Sequence, residues 1–188
     1  MQSFGRAELN NWLKRIDVDC ERVADIGVER NPNKKNVNSF NCDEYITFDV
    51  EKIKGVDEVL DLNEPYDKFQ DYFDVVFCTQ VFEHIYNPVQ GAKTIHNMLR
   101  NNGILYLTSP FIYPHHSESD MLRYTDQGLR TILEKAGFKD IKIEPTYATE
   151  GKAYLMNFFI SEGMHSKQLR DNYKCPIEYK IKAIKKNG

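Results

Sequence analysis

The stretch Phe73-Asp-Val-Val-Phe-Cys-Thr-Gln-Val-Phe-Glu-His-Ile85 decides the fold. Phe73 to Cys78 is a short run of β-branched and aromatic residues, too short for a helix and too apolar for an edge strand. A strand that is apolar on both faces belongs in the interior of a parallel sheet. Thr79, Gln80, Glu83 and His84 then fall just past its carboxyl end, where open α/β sheets bind their ligands. The flanking sequence repeats the same order of strand, loop and helix.

On the N-terminal side, Leu9, Trp12, Leu13 and Ile16 recur at i, i+3, i+4, i+7 and predict a helix over 7–16 with one apolar face. Strands are expected at 22–26, 45–50 and 56–60, the first two separated by a polar loop. On the C-terminal side, Asn87 caps a helix that opens with Pro88, where a missing N–H does no harm. Asn102-Gly103 ends it before a strand at 104–109. An irregular loop from Pro110 to Tyr124 leads to a helix capped by Thr125 and closed by Gly137, with Leu129, Ile132, Leu133 and Ala136 on its core side. Strands at 138–144 and 153–161 complete the set. The fold class is therefore α/β, a Rossmann-like seven-stranded mostly parallel sheet with an antiparallel last strand and helices on both faces. Ile177, Ile181 and Ile184 are spaced to face one side of a basic helix in the tail, 166–188.

With 188 residues and 41% apolar side chains, the chain can bury one real core. A net charge of −3 argues against a surface made for nucleic acid, and no nucleic-acid partner is expected. Positions 167–186 carry seven basic and two acidic residues, a balance of +5, so the rest stands at −8. The four cysteines form no C-x-x-C pair, which fits reduced thiols and a cytoplasmic location. No signal-peptide core and no run of ~20 apolar residues occurs, so no transmembrane segment is expected.

Val23-Ala-Asp-Ile-Gly27, Phe48-Asp49, Asp61-Leu62, Phe73-Asp-Val-Val76, Glu83-His84 and Gly103-Ile-Leu-Tyr-Leu-Thr108 come in an order that resembles the class I S-adenosylmethionine-dependent methyltransferases, across roughly residues 20–145. Ser109-Pro-Phe-Ile-Tyr-Pro114, the His115-His116 that follows and Asp120-x-x-Arg123-Tyr-Thr125 look closest to small type 11-like members associated with sugar and polysaccharide modification. The resemblance implies a methyltransferase-like domain over 1–165 and S-adenosylmethionine as cofactor. An acid closing the second strand, Asp49, is placed to accept hydrogen bonds from ribose hydroxyls. By the resemblance Val50 joins it, Asp61 and Leu62 sit at the adenine, and Asp25 and Gly27 lie near the methionine portion. Cys78, Thr79 and Gln80 form the floor under the transferred methyl. The chain departs from the family's D-x-G-x-G-x-G pattern, because Glu29 and Asn31 replace the second and third glycines. Glu29 either faces the cofactor ammonium or obstructs a vestigial pocket.

The implied reaction is methylation of an oxygen on a small-molecule or glycan-precursor substrate. Alignment and exclusion of water do most of the work in such a displacement, and a hydroxyl acceptor also gains from a base. His116 and His115 are the candidate catalytic residues, since an imidazole pKa of ~6.5 lies near working pH. His84, Tyr113, Asp120, Arg123 and Tyr124 are the expected substrate-binding residues. With no H-x-x-H or H-E-x-x-H spacing, no metal is expected. The rival readings are a non-catalytic binding module with a degenerate cofactor loop and a nucleotide-sugar oxidoreductase. The second lacks G-x-G-x-x-G.

Overall fold

The computed structural model describes residues 4–28, 32–147 and 176–186. Its elements run α1 (Phe4–Leu13), β1 (Asp17–Ile26), β2 (Ser39–Asp49), β3 (Glu58–Val59), β4 (Phe73–Thr79), α2 (Pro88–Met98), β5 (Leu99–Pro110), α3 (Asp126–Ala136), β6 (Phe138–Tyr147) and β7 (Pro176–Lys185). The seven strands form one sheet in the order β3-β2-β1-β4-β5-β7-β6. β1 to β5 pair in parallel, and β7 runs antiparallel to both of its neighbours. The mostly parallel seven-stranded sheet with helices on both faces is thus the observed fold.

Strand period two divides the core between the faces. Val23, Val75, Phe77 and Tyr106 pack with Leu9, Trp12 and Leu13 of α1 on one side. Ala24, Ile26, Val76, Cys78, Leu105 and Leu107 pack with Ala92 and Ile95 of α2 and Leu129 and Leu133 of α3 on the other. Every residue of β4 is buried, as its apolar run requires. The two caps form as their side chains dictate: Asn87 accepts from the Gln90 N–H and Thr125 from the Gly128 N–H.

Two expectations change, and a third falls outside the described residues. β2 starts at Ser39, within the stretch read as a polar loop, because its first half alternates exposed and half-buried residues at the open edge beside β1. The strand expected at 153–161 lies outside the described residues. The tail forms β7 rather than a helix. Tyr179, Ile181 and Ala183, at period two, enter the core shared with α2 and α3. The intervening polar groups find partners: Lys180 lies 3.3 Å from Glu178 and 3.7 Å from Glu8 of α1. Lys185 donates to the Leu99 carbonyl at 2.8 Å and pairs with Asp71 at 2.7 Å. A helix would bury one stripe only, whereas a slot between β5 and β6 demands a strand paired along both edges.

Candidate active site

β1 leads to β2 on one side while β4 leads to β5 on the other, and such a change of direction leaves a crevice at the carboxyl ends. A cleft of about 750 Å³ opens there. Its first half is built on strand ends: Gly27 after β1, Asp49 and Val50 at β2, Asp61 and Leu62 after β3, and Thr79 and Gln80 at β4. Gly27 has φ +76°, and a Cβ added to it would lie 2.2 Å from Val81 Cγ2. Only glycine fits both the conformation and the space. Gln80 also adopts positive φ, 56°, and is held there by its amide donating to Thr108 Oγ1 at 3.0 Å. Such a backbone turns the chain sharply out of β4 toward the second half.

Asp25 lies beneath this half with no exposed surface. It accepts from the backbone N–H of Asn33 at 2.6 Å, from the Asn33 side-chain amide at 2.7 Å, and from the Tyr45 hydroxyl. Burial nevertheless pushes its carboxyl up to about 6. Asp25 therefore ties the chain beyond β1 back to the sheet.

The second half is built from two loops that pack on each other, the 3-10 turn Phe82–His84 and the segment after β5. The Glu83 carbonyl accepts from the N–H groups of Met121 and Leu122 at 2.9 and 3.1 Å. The Tyr124 hydroxyl donates to the Phe82 carbonyl at 2.9 Å. Arg123 grips Asp120 through both guanidinium nitrogens and also reaches the carbonyls of Leu122 and Tyr113, at 2.9 and 3.2 Å. The Asp120 carboxyl, which Arg123 holds well below the usual carboxylate range, lies 2.9 Å from Nδ1 of His116. Nδ1 of His84 faces the Ser119 carbonyl at 3.1 Å. Each Nδ1 thus faces an acceptor oxygen, and that of His84 also lies 3.2 Å from the Ser119 hydroxyl, which can donate or accept. The two imidazoles meet edge to face, 5.2 Å between centroids, and Tyr113 meets His116 in the same way at 5.2 Å. Glu83 is 1% exposed, and neither of its carboxylate oxygens has a hydrogen-bond partner. Desolvation pushes this carboxyl up to about 7.

A family model described as a methyltransferase domain matches residues 5–143. The chain belongs to this methyltransferase domain family. A tRNA U34 carboxymethyltransferase of Helicobacter pylori (strain HPAG1) is 26% identical over 159 residues, covering 73% of this chain and 60% of that protein. The chain thus spans 60% of the length of the curated relatives it matches. A SAM-dependent methyltransferase from Archaeoglobus fulgidus superposes with a TM-score of 0.63 at 21% identity, over 95% of this chain and 92% of that one. Haemonchus contortus phosphoethanolamine N-methyltransferase 2, in complex with S-adenosyl-L-methionine, gives 0.64 at 17% identity, over 97% of this chain and 53% of that one. A Haloferax volcanii methyltransferase in complex with the Trm112 activator gives 0.68 at 16%, over 97% and 89%. The fold is that of S-adenosylmethionine-dependent methyltransferases.

In this methyltransferase domain, Gly27, Asp49, Val50, Asp61, Leu62, Thr79, Gln80, His84, Tyr113 and His116 line one cleft. Cys78 does not: it is fully buried in the core shared with α2 and α3, below the floor it was expected to form. Asp25, Asp120, Arg123 and Tyr124 stand behind the cleft wall and hold it rather than line it. His115 is exposed and lies outside the cleft. Glu29 and Asn31 lie outside the described residues. Sequence reasoning missed Arg6 and Leu9 of α1, and Ser117, Ser119 and Met121 of the segment after β5, all of which line the cleft. Glu83 was noticed next to His84 but given no role. Its signal was an acid directly after a buried apolar residue, Phe82.

Proposed function

We propose that this chain transfers a methyl group from S-adenosylmethionine to a hydroxyl oxygen of a small polar acceptor, a sugar or surface-glycan precursor. One observation carries the reading: a single cleft joins the strand-end half to a half in which Asp120 holds His116 through Nδ1. The first half fits the cofactor, because the missing Cβ of Gly27 leaves room, Asp49 and Asp61 offer acceptors to hydroxyl and amino groups, and Val50 and Leu62 offer apolar surface. When bound, S-adenosylmethionine supplies an activated methyl group. The protein's part is to align that methyl with the acceptor and exclude water. His116 takes the acceptor's proton at Nε2, while the ionised Asp120 stabilises the imidazolium that forms. Hydroxyl and imidazole groups of Tyr113, Ser117, Ser119 and His84 suit a polyhydroxylated substrate.

A tRNA acceptor like that of the curated relatives is less favoured, since Lys180 and Lys185 of β7 are engaged in ion pairs. Calorimetric titration with S-adenosylhomocysteine tests the first half of the proposal. Binding at micromolar concentrations is expected, and no binding at millimolar ligand would favour a non-catalytic binding module instead.

A further inference from the structure

Glu83 is the least explained group in the molecule. Burying a carboxylate without a donor is costly, and native structures satisfy nearly all such groups. Here both oxygens are orphaned at the wall of the cleft while the residue is 1% exposed. His84 Nε2 stands 4.0 Å from Glu83 Oε1. One donor atom each from Glu83, His84 and His116 lie within 4.8 Å of one another.

The two rings are oriented in the way that metal-binding histidines are. A ligating imidazole hands its other N–H to a carboxylate or a backbone carbonyl, which fixes the tautomer and raises the basicity of the free nitrogen. His116 has Asp120 in that role and His84 has the Ser119 carbonyl. Arg123 in turn holds Asp120, so this outer layer is itself fixed. Three ligand-bearing side chains, two of them held through Nδ1 and the third with no side-chain hydrogen bond, therefore gather within 4.8 Å of one another.

We propose that Glu83, His84 and His116 bind a divalent transition-metal ion through one carboxylate oxygen and two Nε2 atoms. Two imidazoles and a carboxylate with open positions suit zinc, iron(II), manganese or cobalt rather than calcium or magnesium. Bonds of ~2.0–2.2 Å need the three atoms drawn in by roughly half an ångström to an ångström, within reach of side-chain rotation. The open positions face the cleft half assigned to the acceptor, so the ion would hold and polarise an acceptor oxygen. This inference rests on the proposed function for that last point and deepens it. With the ion bound, His116 would serve as a ligand, and the hydroxyl acidified by the ion would give its proton to solvent water instead of to the imidazole. No spacing rule could have found the set, because Glu83 and His84 follow β4 whereas His116 follows β5.

The test is titration of the metal-stripped full chain with Co(II), read by calorimetry and by visible absorption. One equivalent should bind with a dissociation constant of ~10 µM or tighter and give the ligand-field bands of nitrogen and oxygen coordination. Glu83→Gln and His84→Gln should each weaken binding by ~10-fold or more, and Asp120→Asn by ~10- to 100-fold. His115→Ala should leave it unchanged. His84→Gln, at a partly exposed ring, keeps the test decisive if the buried Glu83 substitution unfolds the protein. Binding no tighter than millimolar, equal affinity in the His84 variant, or an equal loss in the His115 variant each overturns the site. S-adenosylhomocysteine is titrated into the same samples. Its binding without Co(II) binding removes the ion alone, whereas Co(II) binding without it removes the cofactor assignment and leaves the ion.

Discussion

The two halves of the cleft are made by different means. The cofactor half rests on the ends of β1 to β4, whose places are fixed by a hydrogen-bonded sheet and a buried core. The acceptor half rests on two loops joined by polar contacts, from Arg123 through Asp120 to His116 and from Glu83 to Met121. A strand end keeps its position when one side chain changes, because many backbone bonds over-determine it. A loop held by a chain of ion pairs does not, because each link positions the next. Damage to the acceptor half should therefore spread into turnover and stability, and damage to the cofactor half should stay local to affinity.

The largest effect is expected at His116. His116→Ala should lower turnover by about 10²–10⁴-fold with S-adenosylhomocysteine affinity retained, once an acceptor is in hand. Activity within threefold of the parent over pH 6–9 would detach the imidazole from the chemistry. Next comes Arg123→Ala, which leaves the Asp120 carboxylate only the Nδ1 and N–H of His116 and should cost about 2 kcal/mol in denaturant unfolding. A loss below 1 kcal/mol would mean that the loop does not depend on this link, and the contrast between the halves would weaken.

A stability effect of similar size depends on pH. The folded-state pKa of Asp25, about 6, lies above its ordinary 3.8, so ionisation opposes folding. Its contribution should be most favourable below pH 4 and fall by up to about 3 kcal/mol as pH rises through 6. The difference between the pH–stability curves of the parent and of Asp25→Asn measures it, and a carboxyl-carbon NMR midpoint near 4 would refute it. The smallest effect belongs to the cofactor half. Asp49→Ala should weaken S-adenosylhomocysteine by about 1.5–3 kcal/mol and leave the melting transition in place. An affinity within twofold of the parent would mean that the end of β2 does not meet the ribose.

This division also explains what could be read from the sequence. The buried run of β4, the caps at Asn87 and Thr125 and the acid at the end of β2 follow from local rules, and the sheet carries them to the cofactor half. β7 escaped because its isoleucines fit a helical stripe as well as a strand, and only the slot between β5 and β6 chooses between them. Cys78 lies one residue deeper in β4 than the strand end, where the core covers it completely. In the other half, His84, Tyr113 and His116 were singled out, whereas Ser117, Ser119 and Met121 were not, and the supporting roles of Asp120 and Arg123 were not legible. That Asp120 and Arg123 hold His116, and that Glu83 is left without a partner, depends on how two loops meet, which no local pattern encodes.

The carbonyl of Ile177, at the start of β7, accepts hydrogen bonds from the N–H groups of Phe111 and Ile112, at 2.7 and 3.2 Å. During synthesis the parallel core of β1, β4 and β5 can pair as soon as those strands emerge, whereas the anchor of the acceptor loop is among the last parts of the described chain to appear. β6 waits for the same strand, its only partner in the sheet among the described residues. The two halves of the cleft are thus separated in time as well as in construction. A nascent chain would acquire a cofactor-binding surface before it can present an ordered wall to an acceptor, and the long-range closure by β7 should be the slow step of folding.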